Sequence, residues 1–130
     1  MSIWRTSRSV RFVLVLAATM CCGAAVSLAR GNLLGRLYND IVLDNYDHFL
    51  PCEKLPTSAE VNRIAEGHED VLKSIKEVHP GHIFVEIDDH MCPGRADIII
   101  SYATHQDRLA IEEIIGGHTF FGVPCRLRNI

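Results

Sequence analysis

The chain has 130 residues, 13 of them lysine or arginine and 16 aspartate or glutamate. Arg5, Arg8 and Arg11 precede every acidic residue, so beyond residue 29 ten basic side chains face sixteen acidic ones, a charge near −6. That balance argues against a general nucleic-acid binder, and the remaining hundred or so residues suffice for one compact domain and no more. There is no internal repeat, no low-complexity segment and no acidic run long enough to suggest disorder.

The first 29 residues read as a leader. Arg5, Arg8 and Arg11 form a basic start, Phe12 to Ala29 carries no charge, and Ser27-Leu28-Ala29 places small residues where a signal peptidase cuts. The alternative is an uncleaved anchor, because the uncharged run sits at the lower length limit for a spanning helix. Lipidation at Cys21 is disfavoured by the preceding Met20. Either reading exports the rest of the chain, to a periplasmic, extracellular or outward-facing anchored position, since the arginines hold the N-terminus inside.

Residues 30–56 follow as an amphipathic helix and a short extended segment. Between Asn32 and Phe49, Leu33, Leu34, Leu37, Tyr38, Ile41 and Val42 recur at helical spacing among Asn39, Asp40, Asp44 and Asp47. Such a helix packs on its own domain, docks or dimerises, or continues an anchor as a stalk. Pro51 and Pro56 then bracket His48 to Leu55, which is a weak strand at best.

Residues 57–130 form the main domain. Thr57 and Glu60 open a helix with a capping-box pattern. Val61, Ile64, Ala65, His68, Leu72, Ile75 and Val78 line its apolar face up to the stop at His79-Pro80-Gly81. Ile83, Val85 and Ile87 alternate as in a half-buried strand. After the turn Cys92-Pro93-Gly94-Arg95, Ala96 to Tyr102 is more continuously apolar, as a central strand would be. Thr104 and Asp107 repeat the cap ahead of Leu109, Ile111, Ile114 and Ile115, and Gly116-Gly117 ends that helix. His118 to Leu127 then reads as one last strand, with Phe121, Val123, Cys125 and Leu127 on one face and Phe120, Pro124 and Arg126 on the other. The order is α+β and resembles a ferredoxin-like (β)αββαβ two-layer sandwich. That architecture hosts many unrelated activities, so it carries no function by itself.

Several residues are candidates for chemistry. In the expected topology Cys52 and Cys92 meet at one end of the sheet and form a disulfide, while Cys125 is a buried thiol without a histidine base beside it. His82, Glu86, Asp88 and His90 alternate along one strand and offer zinc or copper a set of imidazole and carboxylate donors; the competing reading is a solvated strand face. Asp88-Asp89 beside His90 lacks an accompanying nucleophile, and no catalytic residue is expected. The uncovered sheet face would present Phe84, Ile99 and Phe120, rimmed by Glu86, Asp88 and Arg126, an apolar patch suited to a partner. Its occupant would be the chain's own helix, a second copy or a foreign protein. The expected activity is therefore protein binding or self-assembly by a non-catalytic exported domain, without cofactor or nucleic acid and touching a membrane only through its N-terminal segment. The alternative is an export-compartment metal-binding protein or metal-dependent enzyme.

Overall fold

The computed structural model describes residues 33–130, so the expected leader lies outside the described residues. The chain divides into two units, Met1–Tyr38 and Asn39–Ile130. In the first, residues 33–38 are helical, and Leu33, Leu34, Leu37 and Tyr38 are exposed.

The helix expected over Asn32–Phe49 (α1, helical over 33–41) stops at residue 41. Asp44 adopts a positive φ of 53°, which a helix cannot continue through, and the Asn45 N–H turns back to the Asn39 carbonyl at 2.9 Å. Tyr46 then exchanges two backbone hydrogen bonds with Leu127, at 2.8 and 2.9 Å. Long-range pairing therefore overrides a helical apolar period in residues 42–49. The extended piece expected at His48–Leu55 is not a strand either; it contains a single 3₁₀ turn at Cys52–Lys54.

The second unit is α+β. Helices α2 (Ser58–Gly67) and α3 (Glu69–Glu77) replace the single helix expected there. Thr57 Oγ1 accepts from the Glu60 N–H, as its spacing predicts. The break falls at His68, whose backbone is non-helical, directly after the poor helix former Gly67. The His68 ring leaves the helix to stack on Phe121, 3.5 Å away and 2° from parallel.

Strands β1 (Phe84–Asp88) and β2 (Asp97–Tyr102) form an antiparallel pair, from Phe84 opposite Ser101 to Asp88 opposite Asp97. Helix α4 (His105–Ile115) has a complete capping box, with Thr104 and Asp107 each bonding the other's backbone N–H, and ends on Gly116 in the left-handed conformation. Strands β3 (Thr119–Phe120) and β4 (Val123–Asn129) follow. The sheet is mixed, ordered β1-β2-β4-β3, and β2 pairs with β4 directly and in parallel. A ferredoxin-like sheet would have a first strand at its centre. Here the 44–56 stretch meets β4 through Tyr46 on the edge away from β2, and among the described residues no strand lies between β2 and β4.

The last strand differs from expectation in a way that moves a candidate residue. Phe121 and Gly122, at φ of 48° and 87°, make a two-residue hairpin between β3 and β4. Across such a turn Phe120 pairs with Val123 and shares its face, whereas in one continuous strand it would share the face of Pro124 and Arg126. Phe120 is accordingly 1% exposed and belongs to the core. That core lies between the helices and the inner sheet face: Val61, Ile75 and Ile111 against Ile98, Ile100, Tyr102, Val123 and Leu127. Burial of each such aliphatic side chain stabilises by about 1.5–3 kcal/mol.

Candidate functional site

The register assigns the outer sheet face to Phe84, Glu86 and Asp88 on β1, Asp97, Ile99 and Ser101 on β2, and Arg126 and Arg128 on β4. This face has two parts of opposite character. One end is a buried ion cluster beneath the 47–55 stretch. The other, around Phe84, faces solvent.

At the closed end, Arg126 grips Asp97 with both arms: Nε donates to Oδ2 at 2.5 Å and Nη2 to Oδ1 at 2.7 Å. Nη2 also donates to Asp88 Oδ2. Paired strands bring these three residues together because Asp88 lies directly opposite Asp97 and Arg126 is one strand further across. The Arg126 hydrogen bond is the main reason the Asp88 carboxyl stays below the ordinary carboxylate range; burial opposes it, and the backbone N–H groups of His90 and Met91 reinforce it. Arg126 is in turn held more firmly protonated, first by its hydrogen bond with Asp97.

His48 completes the cluster. Its Nε2 lies 2.8 Å from Asp97 Oδ2, and its Nδ1 accepts the Leu50 N–H at 3.0 Å. An acceptor at Nδ1 requires the proton on Nε2, so the ring is a neutral donor to Asp97. Both nitrogens are occupied, which leaves His48 no lone pair with which to act as a base. With neutral His48, two carboxylates and one guanidinium give the cluster one net negative charge. Above it lies a recess of about 90 Å³, walled by Leu50, Leu55, Met91 and Cys92. The Cys52–Cys92 disulfide, with Cα atoms 5.5 Å apart, ties this wall to the β1–β2 hairpin. Arg95 Nη1 adds a bond to the Leu55 carbonyl at 2.5 Å.

The proposed metal strip is not assembled. Asp88 turns to Arg126; His82 sits ahead of β1 against the His79 ring; His90 lies past the strand end, exposed, 3.9 Å from Asp89; Glu86 is exposed. Among the described residues, no group of three or more histidine, cysteine, aspartate or glutamate side chains is placed to hold a metal ion. Alternation along a strand puts side chains on one face but does not make them converge, and a stronger partner claims Asp88.

Cys125 is on the inner face, and burial pushes its thiol up to about 12. It is therefore protonated and unreactive at ordinary pH. A second polar cluster lies on α4, where Arg108 pairs with Asp40, Asp44 and Glu112 at 2.5, 3.0 and 2.8 Å. His105 and His118 bond Asp44 and Glu112 in turn. This cluster clamps residues 40–46 onto α4 and accounts for the end of α1.

At the open end, Phe84 is 51% exposed, Ile99 and Ser101 are half-buried, and Glu86 and Arg128 are exposed. Phe84 and Ile99 thus occupy the outer face as expected. Arg126 occupies it too, but buried rather than at a rim, and Phe120 is absent from it. His48, Asp97 and Met91 were not foreseen, because their roles depend on a loop crossing the sheet. No family model matches this chain, and neither a curated protein nor a solved structure shows significant similarity to it.

Proposed function

We propose that this is an exported, non-catalytic protein-binding domain that works through the open end of its outer sheet face. The observation that carries the reading is Phe84, a large aromatic residue half exposed on a sheet surface beside Ile99 and framed by Glu86 and Arg128. Apolar surface with a charged frame is the composition of a binding patch, and burial of a phenylalanine contributes about 1.5–3 kcal/mol to association. The neighbouring ion cluster supports the reading by rigidity: charges satisfied within the sheet hold the patch on a fixed platform. Export is supported by the Cys52–Cys92 disulfide, the chemistry of an oxidising compartment, together with the basic and uncharged leader. The metal-binding alternative, with zinc or copper on His82, Glu86, Asp88 and His90, has no convergent donor set behind it.

The partner is a second copy of the chain or a different protein, and one experiment addresses both. Cross-linking of the full chain in its native cells should trap an adduct whose mass identifies the partner. Phe84→Asp, at an exposed position, should abolish the adduct while leaving the far-ultraviolet circular dichroism unchanged. An adduct that survives the substitution would rule out this face as the docking surface.

A further inference from the structure

We propose that Met91 is a methionine-oxidation site whose sulfoxide is received by the Arg126 guanidinium. Arg126 has five N–H donors. Carboxylates take three of them, at Nε with Asp97 and at Nη2 with Asp97 and Asp88. Among the described residues, Nη1 meets no oxygen. Its acceptor is the Met91 thioether sulfur, 3.7 Å away, and a thioether is a weak acceptor. A buried cation is thus left with its poorest hydrogen bond at a residue that chemistry can improve.

Met91 is both held and accessible. Asp88 Oδ1 accepts the His90 N–H at 3.0 Å, which closes the turn ahead of Met91. Met91 is nonetheless 73% exposed, within reach of dissolved peroxide. The sulfur lone pair attacks one oxygen of hydrogen peroxide; the S–O bond forms as the O–O bond breaks. The transferred oxygen loses its proton to the departing hydroxide, which leaves as water. Sulfur is oxidised by two electrons and the peroxide is reduced by two.

The product suits the site better than the reactant. A sulfoxide oxygen is a strong, polar acceptor, and on a sulfur already 3.7 Å from Nη1 a rotation of the side chain brings it to hydrogen-bond distance. It is also neutral. A carboxylate in that place would add a second net negative charge to a cluster that already carries one, whereas the sulfoxide adds an acceptor alone. Oxidation therefore fastens Met91 across the mouth of the recess.

The test treats the full chain with dilute hydrogen peroxide and maps the added oxygen by peptide mass spectrometry, which separates Met91 from Met1 and Met20. One oxygen on Met91 should raise the thermal midpoint by about 6 °C or more, as one added hydrogen bond to a charged group would. Nitrogen-15 spectra of the arginine side chains should show Arg126 Nη1 protons that exchange more slowly after oxidation. Met91→Gln, which offers an amide oxygen at this exposed position, should reproduce the rise without peroxide, and Met91→Leu should not. An unmodified Met91, a midpoint that stays level or falls on oxidation, or equal midpoints for the glutamine and leucine variants would each overturn the proposal.

Discussion

Replacement of Arg126 by methionine tests the ion cluster most directly. The substitution keeps the length and apolar volume of the side chain but removes the one cation facing two buried carboxylates. Asp97, 2% exposed, keeps only His48, and Asp88 keeps only backbone N–H donors. An uncompensated charge at such a site costs about 3–5 kcal/mol. A domain of this size has about 5–15 kcal/mol in total, so about a fifth or more of its stability is at stake. Urea unfolding followed by circular dichroism at pH 7 should show that loss as a lower midpoint with an unchanged slope. The pH dependence carries the sign. In the native protein the Asp88 carboxyl is held below its ordinary 3.8, so its contribution is full above that value and fades as pH falls through the depressed one. In the variant, the Asp88 carboxyl loses the hydrogen bond that holds it down while burial still pushes it up, and its protonation relieves part of the penalty. The gap between the two proteins should therefore be widest near neutrality and narrow towards pH 4. A loss under about 1 kcal/mol, or a gap equal at both pH values, would refute the argument. Addition of Asp88→Asn and Asp97→Asn to the Arg126→Met variant should restore most of the stability, because no buried charge is then left alone.

Two further outcomes follow from the cysteines. Cys52→Ser with Cys92→Ser opens a 40-residue loop and should cost about 3–4 kcal/mol by loop entropy, with a midpoint equal to that of the reduced native protein; a midpoint unchanged by reductant would refute it. Cys125, with its thiol raised from 9.0 to about 12, stabilises the fold fully below pH 9 and loses that contribution as pH rises towards 12. Cys125→Val should flatten the alkaline limb of the stability curve over that range, and parallel limbs would show that the thiol contributes nothing there.

The candidate site was only partly legible. Phe84 and Ile99 were assignable to the outer face because strand alternation is local and both strands form as read. Phe120 was misplaced by a single feature, the hairpin at Phe121-Gly122. A two-residue turn reverses the chain and shifts the facing of every residue before it. A glycine beside two phenylalanines signals that turn only faintly when the flanking residues also alternate as one strand. Arg126 was read as a rim charge; its burial depends on the 47–55 stretch lying across it, and nothing in the local sequence reports that. The four donors expected along one strand lie apart in the structure. Shared strand parity gives a common face but not convergence, and another strand supplies Arg126 to Asp88.

Short-range interactions determined what the sequence alone could decide. The caps at Thr57 and Thr104, the left-handed stop at Gly116 and the alternation of Ile83, Val85 and Ile87 all involve neighbours within about one turn, or the period of a strand. Cys92 lies in the β1–β2 turn that strand alternation places, whereas Cys52 reaches it from a 3₁₀ turn rather than from the expected first strand. Only the tertiary structure decided that β2 and β4 pair in parallel, that α1 ends at residue 41, and that Asp88, Asp97, His48 and Arg126 meet. Asp44 leaves the helix because Arg108, 64 residues away, holds its carboxylate, and Tyr46 is drawn out to Leu127, 81 positions along. Those bonds compete with a helical period that is equally satisfied in isolation. Where local preference is nearly balanced, the residues that arrive from elsewhere in the chain decide the outcome.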